Sequence, residues 1–208
     1  MTRYLCFICA LACPVFLFMA GCDGGSPDAV LDANTFTVSA AGEDGGPRSP
    51  AFYMEGEEDG EVVFSLVLGV SDPNLDAPQA LTQAAVVLAR SGPTPGEGTY
   101  PLVDVFTADP DVRPDSVVGA YFVPDTTRGF RIHFAERGTL FVDEVQARES
   151  IQGRFEMTVR EADLLTLEPV GPPVTVEGEF HAVHREAPGG EFPGARLPAA
   201  LSTQRAPH

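Results

Sequence analysis

Three sets of side chains in this chain have types and spacings that could do chemistry. His181 and His184 are three residues apart, a spacing at which two imidazoles can share a metal ion. On an extended strand, however, residues three apart point to opposite faces, so a shared ion there requires a bend. Asp104, Asp109, Asp111 and Asp115 cluster in and around a turn-rich segment. Calcium takes about six to eight oxygens, often from loop carboxylates, and these four are the calcium candidates. Their spacing departs from the D-x-[DN]-x-[DN]-G loop, Pro110 and Pro114 stiffen the segment, and a chain with 30 acidic residues forms such clusters by composition alone. Cys6-x-x-Cys9 has the spacing of a redox or metal pair, but it sits inside an apolar N-terminal segment.

No catalytic constellation stands out, so no catalytic residue and no cofactor is assigned. A serine nucleophile needs a positioned base and an oxyanion site. No G-x-S-x-G elbow occurs, and Ser65, between Phe64 and Leu66, reads as structural. Carboxylate pairs for glycoside hydrolysis must sit at defined separations, and among so many acids, with no tryptophan to stack a sugar, none is singled out. There is no G-x-G-x-x-G or P-loop. His133 shares a polar strand face with Arg131 and reads as a surface histidine, His208 falls in the terminal tail, and the acidic run from Glu55 to Glu61 reads as a solvated loop.

Charge narrows the partners. The formal net charge is -17, and all 13 basic residues are arginine. Such a surface repels phosphate backbones, which disfavours nucleic acid. Two explanations of the acidity compete: adaptation to a salty milieu, where screening removes self-repulsion, and GC-rich codon usage, which favours Arg, Ala, Gly, Pro and Asp. Neither is a function.

The elements that must position these residues read as strands. Nineteen prolines and 21 glycines interrupt short apolar runs that alternate or are solidly apolar, which is the strand signature rather than a helical one. Strands are predicted over 35–40, 51–54, 61–70, 84–90, 100–106 and 116–123, with a helical turn over 76–83 as the main local alternative. Glu61 to Val70 is nearly all apolar, as a strand covered on both faces requires. Phe130, Ile132 and Phe134 are expected on the core, and 139–145 is expected to open a new strand after a turn at Gly138. Two more alternating runs cover 154–160 and 174–181. Gln152-Gly153-Arg154-Phe155 and Glu177-Gly178-Glu179-Phe180 echo each other. Glycine inside a strand marks a bulge or a close approach of backbone, so these two are expected to be neighbours that share a kink. Short turns between such strands favour antiparallel pairing, hence an all-β fold, an antiparallel β-sandwich or open barrel in a single domain.

The N-terminus supplies an address. Arg3 precedes an apolar stretch from Tyr4 to Ala20 that ends in Met19-Ala20-Gly21-Cys22, the layout of a signal peptide at the lower length limit for a retained span. Ala20-Gly21-Cys22 resembles the lipobox of bacterial lipoproteins, with Met19 where the pattern usually has Leu. The resemblance implies cleavage before Cys22 and lipidation of its thiol. One acyl chain anchors only marginally, and several hold a protein on a membrane essentially permanently. All four cysteines lie in the first 22 residues, so the processed chain is expected to hold no disulfide and no free thiol. Asp23 resembles an inner-membrane retention signal in one sorting rule that other bacterial groups do not follow, which leaves the membrane open.

Gly96-x-Gly98-Thr99-Tyr100-Pro101-Leu102, Gly138-Thr139-Leu140 and the two Gly-x-Phe strands occur in that order. Together they resemble small envelope lipoproteins, common in Bacteroidota and related bacteria, that carry a β-rich domain of unknown function. The likeness covers roughly 84–183 and implies no catalytic residue.

The expected organisation is a signal peptide over 1–21, a flexible tether over 22–33, the β domain over 34–186 and a disordered tail over 187–208. The expected function is a cell-envelope lipoprotein, held on the outer or inner membrane through lipid on Cys22 and facing the periplasm or exterior. It would act as a non-enzymatic binding or assembly module for an envelope protein or a small-molecule ligand. The alternatives are an envelope-polymer hydrolase working through carboxylates and a calcium-stabilised adhesin-like module.

Overall fold

In the computed structural model the described residues are 31–41, 45–58, 60–71, 82–104, 115–127, 129–163, 166 and 168–187. They form an all-β fold with ten strands and no helix among them. In chain order these are β1 (Thr35–Phe36), β2 (Ser39–Ala40), β3 (Ala51–Glu58), β4 (Glu61–Leu68), β5 (Ala85–Ser91), β6 (Gly98–Leu102), β7 (Val118–Asp125), β8 (Gly129–Gln146), β9 (Ser150–Ala162) and β10 (Pro169–His184). The helical turn considered over 76–83 falls mostly outside the described residues.

The strands make one mixed sheet, and its pairings run in a circuit. β3 pairs with β4, β4 with β5, β5 with β7, β7 with β8, β8 with β9, β9 with β10, and β10 returns to β3. Each step is antiparallel except the last, where Val183 and His184 lie parallel to Phe52 and Tyr53. The exception follows from parity. Strand direction alternates around the circuit, and an odd number of strands leaves one neighbouring pair running the same way. The β1 and β2 strands fill the edge of β10 below β3, through Phe36 opposite Phe180 and Ser39 opposite Glu177.

The interior is filled by side chains. Phe36, Phe64, Leu66, Leu88, Leu140, Ile151, Phe155 and Phe180 are all at most 2% exposed and belong to one cluster. Each large apolar side chain buried in this way stabilises the fold by about 1.5–3 kcal/mol. β4 is covered on both faces from Phe64 to Leu68, as its solidly apolar sequence predicts, whereas Glu61 and Val62 at its start are exposed. Phe64, Leu66 and Leu68 face the main cluster, and Val67 joins Phe52, Met54 and Ala85 in a second cluster on the other face.

Two expectations for β8 are corrected. Gly138 is not a turn, because β8 runs unbroken through it and pairs with β9 on both sides of it. The face assignment near its start holds only in part: Phe134 is buried as expected, but Phe130 and Ile132 are half-buried and His133, expected on the wet face, is buried too. His133 stands opposite Tyr121 of the main cluster, whereas Phe130 packs edge-on against Phe122, which lies beside the outer cluster. A register shift between Ala135 and Arg137 then changes which alternate residues face inward. Ala135 is interior before it, and Leu140 and Val142 are interior after it. A bulge adds one residue to one strand and so inverts the alternation beyond it.

Candidate functional site

The histidines separate into different surroundings. His181 Nδ1–H donates to the Leu31 carbonyl at 2.9 Å, whereas His184 lies against the Tyr53 ring, with centroids 5.2 Å apart. The two imidazoles therefore point into different neighbourhoods, as their spacing predicts. Of the calcium candidates, Asp104 and Asp115 lie near the bridge between Leu102 and Val117, while Asp109 and Asp111 are outside the described residues. Among the described residues no group of three or more His, Cys, Asp or Glu could hold a metal ion. Cys22, the other cysteines and His208 are also outside the described residues. Ser65 is buried in the middle of β4, 2% exposed.

His133 is not the surface residue its sequence neighbourhood suggests. It is 6% exposed, and its Nδ1 has no hydrogen-bond partner. Tyr121, His133 and Glu161 stand side by side across β7, β8 and β9, with the Tyr121 and His133 ring centroids 5.7 Å apart. Arg131, two residues before His133 on the same face, reaches Glu161 at 3.3 Å and Asp125 at 3.6 Å. Burial pushes the His133 imidazole below its ordinary pKa, the nearby Glu161 opposes that shift, and Arg131 reinforces it. This row pairs its charges but leaves two buried nitrogens, His133 Nδ1 and Arg131 Nε, without a hydrogen-bond partner.

A second polar group surrounds Tyr53, which is 1% exposed and has an unpartnered hydroxyl. Burial, with Glu55 nearby, raises its phenol above the ordinary value. Glu55 accepts hydrogen bonds from the Thr94 hydroxyl at 2.6 Å and the Thr94 backbone N–H at 2.5 Å. Those bonds, the hydroxyl's first, hold its carboxyl below the usual carboxylate range. They tie the loop after β5 to β3, so Glu55 is anchored by its neighbours rather than simply solvated.

The third feature is an open groove of about 540 Å³ lined by Thr37 to Ser39, Phe141 of β8, Arg154 to Glu156 of β9 and Glu177 to Glu179 of β10. Glu156 stands directly opposite Glu177, and Glu179 directly opposite Arg154. The Arg154 guanidinium lies 4.4 Å above the Phe141 ring and 3.3 Å from Asp143, so its charge is already engaged. Among the described residues no cation forms an ion pair with Glu156, Glu177 or Glu179. Like charges directly opposite on neighbouring strands are destabilising, a repulsion that an incoming cation would relieve.

No protein-family model matches this chain, and comparison with curated proteins and with solved structures finds no match. The site must therefore be read from its own residues. Sequence reasoning passed over Glu156 and Glu177, although their positions in the two echoing Gly-x-Phe strands were the available signal. With those strands expected side by side, Glu156 and Glu177 could have been tested as cross-strand neighbours.

Proposed function

We propose that this protein is an exported envelope lipoprotein, anchored through lipid on Cys22, whose β domain is a non-enzymatic binding module. Its groove takes an extended, cationic segment of an envelope protein. The observation that carries this reading is the direct opposition of Glu156 and Glu177 in an open groove whose lining arginine, Arg154, is already engaged by Asp143 and Phe141. Lysine or arginine side chains of a partner would offset the carboxylate repulsion. The packed interior favours this outer surface over an internal ligand site.

A hydrolase is the second reading, because two opposed carboxylates are what glycoside hydrolysis uses. A carboxylic acid serving as proton donor needs a sheltered setting that raises its pKa. Glu156 and Glu177 are both exposed, which favours binding over catalysis.

Thermal melting of the chain lacking residues 1–22, with and without an arginine-containing peptide, separates the readings. A ligand at 100 times its dissociation constant adds about 2.7 kcal/mol, and a chain of this size gains roughly 2–4 °C per kcal/mol. A rise of about 5–10 °C, abolished in Glu156→Gln/Glu177→Gln, is the expected result. Turnover of glycoside substrates that is lost in the same variant would overturn the binding reading.

A further inference from the structure

We propose that His133 is an acid-sensitive latch, at which proton uptake on the imidazole loosens the packing of the β7–β8 hairpin against the end of β9. The inference rests on the fold alone and stands whether or not the groove binds a cationic partner.

The geometry leaves a second positive charge poorly accommodated. His133 is 6% exposed, between Tyr121 on β7 and Glu161 on β9. Tyr121 contributes a ring rather than a formal charge, and a backbone hydrogen bond at Tyr121, which favours the protonated imidazole, is outweighed by burial. On its own strand the nearest charge is Arg131, also a cation. The one anion directly opposite, Glu161, is already paired with Arg131 at 3.3 Å, and Asp125 at the end of β7 faces Arg131 at 3.6 Å. An imidazolium at 133 would therefore compete with Arg131 for Glu161 in a place where water cannot solvate it. Burying an inadequately paired charge is costly.

The direction with pH follows. The folded chain holds this imidazole neutral, chiefly through burial, whereas the unfolded chain takes up the proton near pH 6.5, roughly the ordinary histidine value. Stability from this site is full above that pH and is lost as the pH falls below it. The neutral imidazole with its unpartnered Nδ1 is the closed state, and its protonated form favours opening.

The test compares the full chain, purified in detergent, with His133→Phe, which keeps a ring beside Tyr121 and removes the titrating nitrogen. Melting temperatures are measured from pH 7.5 to pH 5.0, with amide exchange followed over 119–135 and 158–163. The wild type is expected to lose more melting temperature on acidification than the variant, with the added exchange concentrated in those segments. Equal losses would overturn the proposal. Should the variant fail to fold, exchange of the His133 carbon-bound ring hydrogen in the wild type serves instead. A titration midpoint below that of free histidine is expected, and one at or above it would overturn the proposal.

Discussion

Phe155 and Gly178 stand directly opposite each other on β9 and β10, and the Phe155 ring fills the space beside the glycine, its Cζ 2.8 Å from where a Cβ would lie. The relation is reciprocal: Phe180 faces Gly153, with its Cζ 2.9 Å from the corresponding position. Each glycine thus gives an aromatic ring on the neighbouring strand room to lie over the backbone, a device that pins register in curved sheets. Backbone also crowds both positions, since a Cβ at 178 would meet the Thr37 carbonyl oxygen at 2.1 Å and one at 153 the Phe141 carbonyl oxygen at 2.0 Å.

Gly178→Ala and Gly153→Ala are therefore expected to destabilise the domain by about 1–3 kcal/mol each, the range for overpacking a well-filled interior. Gly46→Ala is the control, because nothing lies within 4 Å of its Cβ position. Denaturant midpoints measure all three, and an effect at 178 no larger than at 46 would contradict the crowding.

That pair was legible in the amino-acid sequence. The echo of Gly153-Arg154-Phe155 and Gly178-Glu179-Phe180 predicts neighbouring strands, and β9 and β10 pair with each glycine opposite the other strand's phenylalanine, in a regular register with no bulge at the expected kink. The solid apolar run of β4 was legible for a similar reason: a strand covered on both faces has no wet side to mark. His133 was misread because alternation gives the period but not the face. Near the start of β8 both faces are partly apolar, and the bulge at Ala135 and Arg137 inverts the pattern further along. The parallel closure of β10 on β3 was not legible, since it depends on how many strands complete the circuit. The opposed glutamates of the groove required the register, which alternation alone does not fix.

Glu55 and Thr94 give a pH-dependent prediction. The folded carboxyl titrates below its ordinary range because the Thr94 hydroxyl and backbone N–H bond its charged form. Its contribution is present above the unfolded carboxylate pKa, about 4.3, and is lost as the pH falls through the lowered folded value. Thr94→Ala removes the hydroxyl bond and should cost about 1 kcal/mol at neutral pH, with a smaller difference from wild type in strong acid. Denaturant titrations at both pH values check this, and a difference that grew on acidification would refute it.

The anchor has its own test. Labelled fatty acid should enter the wild-type chain in bacterial cells, and Cys22→Ser should abolish incorporation. Persistent labelling of the variant would remove Cys22 as the attachment point.

The central claim concerns the groove, and its most direct measurement is a calorimetric titration of the chain lacking residues 1–22 with a short arginine-containing peptide. Wild type and Glu156→Gln/Glu177→Gln would be compared at low and moderate salt. Saturable binding to the wild type that weakens with salt and is lost in the variant is the predicted result. No binding to the wild type, or equal binding by both proteins, would contradict the assignment of this groove as a cationic-segment site.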